Sequence, residues 1–259
     1  MGLKYALSQP LFVGAPTYKL LLRMDGGNDS TVFTDNSVNA YTINWFTNDP
    51  GNNKGQSTAE FLFGVSSMKS DRGGAPPGSG GRSSQLDWTA GTGMDWGSSP
   101  DVVIGGAIWP LFPTLADKQT ILMLRRNVGD WWKLSYDDAG AVYYESLQGG
   151  VTFSSLVTST VFLQYGEWNW FFVNMHASDT SIWLGTNNDG FVTNDASGFD
   201  SSPYNFGSLG VTSGTVSNDP IASNGTMNAY VDHLYCATGT YINPFWNGTG
   251  QMPVPTYQP

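Results

Sequence analysis

The segment Gly166–Gly190, GEWNWFFVNMHASDTSIWLGTNNDG, decides the fold of this chain. Its first part, Trp168–Met175, is rich in aromatic and β-branched residues, and its second part, Ser181–Gly185, alternates polar with apolar residues. Turn-forming residues occupy Ala177–Thr180 between them. Two short runs joined by a tight connection predict a β-hairpin. Because neighbouring side chains on a strand face opposite sides, and both sets include aromatic residues, each face of the hairpin can bury apolar surface.

The remainder of the chain predicts more short strands separated by turns. No stretch keeps a helical period over three turns. Further strands are predicted at Tyr18–Met24, Tyr41–Trp45, Ala59–Val65, Val102–Leu111, Thr120–Arg125, Trp131–Tyr136, Ala141–Ser146, Tyr204–Leu209 and Asn228–Ala237. The Gly105–Gly106 pair indicates a β-bulge. About a dozen short strands predict an all-β sandwich or barrel.

Both ends of the chain differ from the strand-rich middle. Prolines interrupt residues 1–17, which predict an N-terminal arm, and residues 243–259 predict a proline-bearing C-terminal tail. The Gly/Pro/Ser-rich stretch 70–84 predicts a surface loop within a single domain, because neither side of it makes a complete domain. The predicted organisation is therefore an arm, one domain at 18–242, and a tail.

Charge is scarce and unevenly placed. Charged residues make up 12% of the 259 residues, against about 25% in typical soluble domains. All eleven Lys and Arg lie at or before Lys133, and the chain after it holds ten acidic residues, which account for the net charge of −10. This distribution disfavours nucleic acid as a partner, and no apolar run is long enough to predict a membrane span. Cys236 is the single cysteine, which excludes an internal disulfide and a thiolate zinc site.

Several motifs resemble a known family when taken in order. They are Tyr18–Ser37 with its Asp-Gly turn, Asp101–Pro110, the hairpin Gly166–Gly190, Tyr230–Leu234 and the proline tail. This order resembles the concanavalin A-like (laminin G-like) domains of bacteriophage virion proteins. The resemblance implies a jelly-roll β-sandwich of two antiparallel sheets. That fold carries glycan-binding modules, glucanases, lyases and structural virion parts, so it does not choose a function by itself.

The acidic and histidine residues argue against an enzyme. Glycoside hydrolysis requires two carboxyl groups about 5–9.5 Å apart. The chain has three glutamates, Glu60, Glu145 and Glu167, and none has an acidic residue two or four positions away. The two histidines, His176 and His233, lie in predicted strands, and no Gly-x-Ser-x-Gly motif is present. The sequence therefore predicts a protein without catalytic activity.

Calcium is the cofactor that the sequence leaves open. Related domains hold a structural ion near the positions of Asp25, Asp35 and Asp232, and Asn39 is close in sequence. Carboxylate and amide oxygens suit calcium. The alternative is that these side chains hold turns, as aspartate often does.

Tryptophans are the candidate ligand contacts. Trp88 and Trp96 lie in a predicted exposed loop, and the adjacent Trp131 and Trp132 place one ring on each face of a strand. These four could form a platform for a glycan. The alternative is that they fill the core or an interface, which is the more common place for tryptophan.

The prediction for function combines composition with the resemblance. It is a non-enzymatic bacteriophage virion structural protein, a capsid decoration or surface accessory protein. It would be oligomeric, would contact a major capsid or tail protein, and would lie on the virion surface after assembly in the host cytoplasm. The alternative is a tail-fibre receptor-binding module that recognises host surface polysaccharide, and a polysaccharide-degrading enzyme is the third hypothesis.

Overall fold

The computed structural model describes most of the middle of the chain. The described residues are 17–47, 55–62, 64–70, 84–94, 101–111, 118–148, 152–157, 162–176, 179–186, 192–197, 211–216 and 227–238. The predicted tail, the predicted strand at 204–209, Trp96, and all of the predicted arm except residue 17 lie outside them.

The described residues form fifteen β-strands and no helix, which confirms the all-β prediction. In chain order the strands are β1 (Thr17–Leu22), β2 (Ile43–Thr47), β3 (Gln56–Ser57), β4 (Ser67–Ser70), β5 (Ser84–Met94), β6 (Asp101–Pro110), β7 (Gln119–Asn127), β8 (Asp130–Tyr136), β9 (Val142–Gln148), β10 (Thr152–Val157), β11 (Asn169–His176), β12 (Asp179–Thr186), β13 (Val192–Ser197), β14 (Val211–Val216) and β15 (Ala229–Thr238).

Two antiparallel sheets make up the fold. The eight-stranded sheet has the order β13-β12-β11-β6-β15-β4-β3, with β1 paired to β15 as well. The seven-stranded sheet has the order β10-β9-β8-β7-β14-β5-β2. Consecutive strands such as β5 and β6 belong to different sheets, and the two sheets form a sandwich.

The hairpin predicted from the sequence lies inside the eight-stranded sheet. Phe171 of β11 pairs with Leu184 of β12, and on its other side β11 pairs along its length with β6. Phe171, Val173 and Leu184 are buried in the main core. The hairpin is therefore confirmed, and one of its faces lies against the opposite sheet.

The main core lies between the two sheets. Alternate residues of each strand point into it, as in Val102, Ile104 and Ile108 of β6. The seven-stranded sheet contributes Leu86, Trp88, Leu122, Leu124, Trp132, Leu134, Tyr136 and Tyr144. Each fully buried large apolar side chain contributes about 1.5–3 kcal/mol relative to an exposed one, so this layer holds the sheets together.

A second apolar layer covers the outer face of the eight-stranded sheet. It is built from the residues that alternate with the core positions: Leu21, Val103, Ala107, Trp168, Trp170, Tyr230, Tyr235 and Ala237. Leu62, from the connection between β3 and β4, packs against this layer. Both faces of this sheet are thus apolar, which explains why the hairpin has aromatic residues on both sides.

Three local predictions from the sequence are wrong. Ala59–Val65 has no strand among its described residues and forms bends and turns. The predicted exposed loop around Trp88 is the long strand β5. The bulge lies on β15, between Asp232 and Tyr235, and not in β6, whose pairing with β11 is regular through Gly105 and Gly106.

Candidate functional site

Polar side chains of interest lie in two regions of the described structure. The first, the turn cluster, contains Asp25, Asp35, Asn39, Gln56 and Asp232. The second, the lysine–glutamate cluster, contains Lys118, Lys133, Ser135 and Glu145, next to the rings of Tyr143 and Trp131. The first includes all four residues predicted to bind calcium, and the second includes one of the four predicted tryptophans.

Asp35 holds the turn that follows β1. Its Oδ1 accepts hydrogen bonds from the backbone N–H groups of Leu21 and Ser37, both at 2.9 Å. Its Oδ2 accepts from the Ser37 hydroxyl at 2.8 Å and from the Tyr41 N–H at 2.9 Å. A carboxylate offers about four lone-pair positions, and these four donors use them. Asp35 thus does what the turn-holding alternative predicted.

The other predicted calcium ligands have separate partners. The Asn39 amide donates to the Lys19 carbonyl at 2.8 Å. Asp25 is exposed and accepts a hydrogen bond from the Val65 N–H at 3.4 Å. Asp232 is fully buried and accepts one from the Leu62 N–H at 2.9 Å. Within the described ranges, no three His, Cys, Asp or Glu side chains are grouped so that they could hold a metal ion. Calcium binding stays a prediction.

Gln56 organises the same region and was missed by the sequence analysis. Its Oε1 accepts hydrogen bonds from the Gly26 N–H at 2.6 Å and from the Ser66 hydroxyl at 2.9 Å. Its Nε2 donates to the Val32 carbonyl at 2.7 Å. The side chain is buried, so it joins the turn after β1 to the β3–β4 connection. No sequence motif marks this role, because the partners are 10 to 30 residues away.

The tryptophans predicted to form an exposed platform are buried. Trp88 is 1% exposed and Trp132 is 0% exposed, and both belong to the core between the sheets. Trp131 faces the opposite side of β8 but is only 7% exposed. The expectation of an exposed cluster is corrected for these three rings. The physical reason is that β5 and β8 each have a neighbouring strand on both sides, where large apolar rings find many contacts.

The lysine–glutamate cluster lies on the outer face of the seven-stranded sheet. Glu145 on β9 is directly opposite Lys133 on β8. Lys118 Nζ is 2.6 Å from Glu145 Oε1, and Lys133 Nζ is 3.5 Å from Glu145 Oε2. The Ser135 hydroxyl donates to Glu145 Oε2 at 3.3 Å. Glu145 is 5% exposed, and a buried carboxylate is stable only when it is paired in this way.

Two aromatic rings support the lysines of this cluster. Lys118 Nζ lies 3.8 Å from the centroid of the Tyr143 ring, and Lys133 Nζ lies 5.3 Å from the centroid of the Trp131 ring. Both distances are within the range of cation–π attraction. The two ammonium groups are therefore positioned by a shared carboxylate and by one ring each.

The cluster belongs to a row of cross-strand neighbours that crosses the sheet. Cross-strand pairing places these residues next to one another in the order Glu145, Lys133, Met123, Thr215, Asp87 and Asn44. Asp87 is half-buried, and its burial raises its pKa, although a hydrogen bond from Gln85 and the charge of Arg125 act in the opposite direction. This row thus contains one basic and two acidic residues, together with the buried Met123.

The turn between β8 and β9 fixes the position of Tyr143. Its hydroxyl donates to Asp137 Oδ2 at 2.8 Å, while Asp137 Oδ1 accepts from the N–H groups of Ala139 and Ala141. The hydrogen bond to Asp137 raises the pKa of Tyr143 to about 12, with smaller contributions from burial and from nearby carboxylates. Tyr143 is therefore a neutral hydrogen-bonded ring at physiological pH, not a base.

His233 lies at the bulge of β15. Its backbone φ is +49°, an uncommon value that histidine tolerates better than most residues. Burial, with a smaller contribution from the positive charge of Arg23, lowers its pKa to about 4. Its ring packs edge-on against Tyr235 at 6.0 Å. A neutral, largely buried histidine that packs in this way has a structural role.

Sequence comparison gives no match to a protein-family model or to a curated protein. No helix in the described ranges is long and apolar enough to cross a membrane.

Solved structures share the fold. The binding domain of botulinum neurotoxin DC in complex with rat synaptotagmin II has a TM-score of 0.55 and 11% identity, and the alignment covers 88% of this chain and 49% of that one. The same domain in complex with SialylT has a TM-score of 0.54, 10% identity, and coverage of 88% and 49%. This chain spans about half the length of those toxin domains.

A third structure matches over nearly its whole length. Domain 4 of AbnA, a GH43 extracellular arabinanase from Geobacillus stearothermophilus in complex with arabinotriose, has a TM-score of 0.54 and 13% identity. The alignment covers 89% of this chain and 96% of that domain. At these identities the comparisons show the fold, which is a β-sandwich.

Proposed function

We propose that this protein is a non-catalytic glycan-recognition module that binds its ligand on the outer face of the seven-stranded sheet. The observation that carries the proposal is the lysine–glutamate cluster, in which Glu145 is held between Lys118 and Lys133. Recognition of a sugar requires fixed donors and acceptors beside apolar ring faces. Here Lys118, whose side chain is 38% exposed, supplies an ammonium donor beside the ring of Tyr143, and the buried Glu145 holds this donor in place.

The structural neighbours support a role in recognition. One of them is in complex with arabinotriose, one with SialylT and one with synaptotagmin II. Two of these three ligands are carbohydrates by their names, and the alignment covers 96% of the domain in complex with arabinotriose and 49% of each toxin domain. Binding of a host glycan or a surface receptor is therefore the function that we carry over to this chain.

The geometry of the same face supports binding without cleavage. Glu145 and Asp87 are in one row but four strands apart, which is about 19 Å at 4.8 Å per strand. Two catalytic carboxyl groups act at about 5–9.5 Å. The hydroxyl of Tyr143 already donates to Asp137. These residues suit a binding surface better than a hydrolytic site.

A glycan array followed by titration calorimetry tests the proposal. We expect saturable binding by the natural protein, no depolymerisation of the bound glycan, and at least about tenfold weaker binding by Glu145→Gln, since that change removes the charge that holds both lysines. Glu167→Gln is the matched control, because Glu167 lies outside this face. Equal binding by the Glu145 and Glu167 variants, or no binding to any glycan, would contradict the proposal.

The ordered sequence motifs support a second proposal, about where the module works. Their resemblance to phage virion domains favours a structural, decoration or receptor-binding part of a bacteriophage particle. The partners would be capsid or tail proteins and further copies of this chain, and the place would be the virion surface. Mass spectrometry and immunogold labelling of purified particles test this idea, and particles that lack the protein would contradict it.

A further inference from the structure

We infer that the loop between β3 and β4 is a docking surface for a second protein, whose contacting segment carries a basic residue beside a large apolar side chain. The loop lies at the edge of the eight-stranded sheet. Its Leu62 packs on the outer face of that sheet, so the loop is on the other side of the sandwich from the lysine–glutamate cluster. This surface is therefore separate from the proposed glycan face.

Buried polar groups hold the backbone of the loop in place. The N–H of Leu62 donates to Asp232 Oδ2 at 2.9 Å, and Asp232 is fully buried. The hydroxyl of Ser67, which is also fully buried, donates to the carbonyl of Glu60. Phe61 thus lies between two residues whose backbone groups are bonded to buried side chains. Because this backbone is already ordered, a partner that binds here loses less conformational entropy.

The same loop exposes large apolar side chains. Phe61 is 44% exposed and Val65 is 55% exposed. Val32 is 70% exposed, and its carbonyl is joined to β3 by the hydrogen bond from Gln56 Nε2 at 2.7 Å. Exposed apolar side chains with polar groups around them are typical of a contact surface for another protein, and phenylalanine is enriched in such contacts.

Two carboxylates lie beside these apolar side chains. Asp25 is exposed, and its Oδ1 accepts a hydrogen bond of 3.4 Å from the N–H of Val65. Gly64 makes room for this carboxylate, because a Cβ atom at position 64 would overlap Asp25 Oδ1. Glu60 is half-buried and directly precedes Phe61. One long hydrogen bond leaves Asp25 with acceptor positions that a cationic side chain can use.

Charge complementarity selects a basic partner. The segments 24–33 and 55–67, which build the loop and the turn beside it, include Asp25 and Glu60 but no Lys or Arg. A Lys or Arg of the partner would pair with these carboxylates while its apolar neighbour covers Phe61. A second copy of this chain fits less well, because its own net charge of −10 opposes the approach.

A protein segment also suits the loop better than a glycan does. Sugars are bound through several fixed donors and acceptors placed around an aromatic ring. Here the N–H groups of Leu62 and Val65 are already used within the chain. The loop therefore offers a partner two apolar side chains and two carboxylates, and few hydrogen-bond donors.

Selection from a phage-displayed library of short random peptides tests this inference, with the natural protein as the target. We expect the enriched peptides to combine Lys or Arg with large apolar residues. The most enriched peptide is then synthesised with two derivatives, one with glutamine for each basic residue and one with serine for each apolar residue. In titration calorimetry each derivative should bind about tenfold more weakly than the parent peptide.

Variants assign this binding to the loop. Phe61→Ser and Asp25→Asn should each weaken binding of the parent peptide by about tenfold, and both change exposed side chains, so the melting temperature should stay the same. Val128→Ser and Asp138→Asn are the matched controls. Val128 is 73% exposed and Asp138 is also exposed, and they lie in the turns that follow β7 and β8 on the other sheet.

The other outcomes each overturn a named part of the inference. Absence of any enriched peptide, or equal binding of the parent peptide to Phe61→Ser and Val128→Ser, would exclude a docking surface at the loop. Self-association in sedimentation velocity that Phe61→Ser abolishes would make the occupant a second copy of this chain. Loss of glycan binding in Phe61→Ser would assign the loop to a glycan instead. The peptide selection does not depend on the glycan array, so either proposal can fail while the other stands.

Discussion

Gly214 shows how one residue decides the place of a tryptophan. A Cβ atom at this position would lie 2.1 Å from Trp88 Cζ2 and 2.7 Å from Leu124 Cδ2, so the absence of a side chain makes room for the indole. The core position of Trp88 therefore depends on a glycine 126 residues away in the chain. From the sequence alone, nothing connects these two residues.

We predict that Gly214→Ala lowers the free energy of unfolding by about 1–3 kcal/mol, because it overpacks the core. Urea denaturation measures the loss. Adding Trp88→Phe should recover part of it, since the smaller ring vacates the space that the new methyl group needs. If the two changes were simply additive, the packing of Trp88 against Gly214 would not be the cause.

His233 gives a prediction about pH. Its pKa is about 4 in the folded protein and about 6.5 when unfolded, so the unfolded chain binds more protons between these values. The stability that comes from neutral His233 is complete above pH 6.5 and is lost as the pH falls towards 4. Its size is roughly 3 kcal/mol, at 1.36 kcal/mol per pKa unit.

The variant His233→Asn tests this prediction, because asparagine tolerates a positive φ but does not titrate. Unfolding free energies measured from pH 7 to pH 4 should fall more steeply for the natural protein than for the variant. Parallel curves would show that His233 titrates normally in the folded state. The comparison cancels the contribution of the carboxylates, which both proteins share.

At the scale of elements, the β8–β9 hairpin builds the candidate site. Its turn at Asp137–Gly140 sets the register that places Lys133 opposite Glu145. Gly140 has φ +84°, and a Cβ there would lie 2.5 Å from the Leu163 carbonyl oxygen. The turn is thus fixed both by backbone conformation and by contact with the segment before β11.

We predict that Gly140→Ala destabilises the protein by more than Gly166→Ala does. Both glycines have positive φ, but nothing lies within 4 Å of a Cβ at Gly166, so that variant reports the backbone strain alone. The strain costs about 1 kcal/mol, and the contact with Leu163 should add about 1–3 kcal/mol. Equal losses in thermal denaturation would contradict this role for the contact.

The strands differ in how well the sequence predicts them. Strands with clear apolar periodicity, such as β6, β7, β8 and β15, were predicted within one or two residues. Strands β5, β13 and β14 were missed because Ser, Thr, Gly and Asn dominate their sequences, and only their neighbours in the sheet make them strands. The segment 59–65 has a strand-like composition but forms no strand among its described residues, and the N–H of its Leu62 donates to Asp232.

The candidate site was less predictable than the fold. Lys133 and Glu145 are neighbours because the length of the β8–β9 turn sets their register. Lys118 lies directly before β7, and its side chain extends past β8 to contact Glu145 on β9. Two alternatives were predicted for Asp35, binding of calcium or stabilisation of a turn. Its four hydrogen-bond donors show that it stabilises the turn after β1. The tryptophans were candidates for a glycan platform because their rings are large. The same size favours burial in the core, where Trp88 and Trp132 lie.

At the scale of the whole molecule, the two sheets differ in chemistry. Apolar layers cover both faces of the eight-stranded sheet, whereas the outer face of the seven-stranded sheet carries the charged residues Glu145, Lys133 and Asp87. This asymmetry supports a molecule with one polar recognition face. Glycan recognition on that face is the function that we propose.

Nuclear magnetic resonance titration of the ¹⁵N-labelled protein with the tightest glycan from the array tests this claim most directly. If the glycan binds on this face, chemical-shift changes will concentrate on β7, β8 and β9, with the largest at Lys118, Lys133 and Glu145. They will vanish in Glu145→Gln. Changes centred on the turn cluster or on the eight-stranded sheet would contradict it.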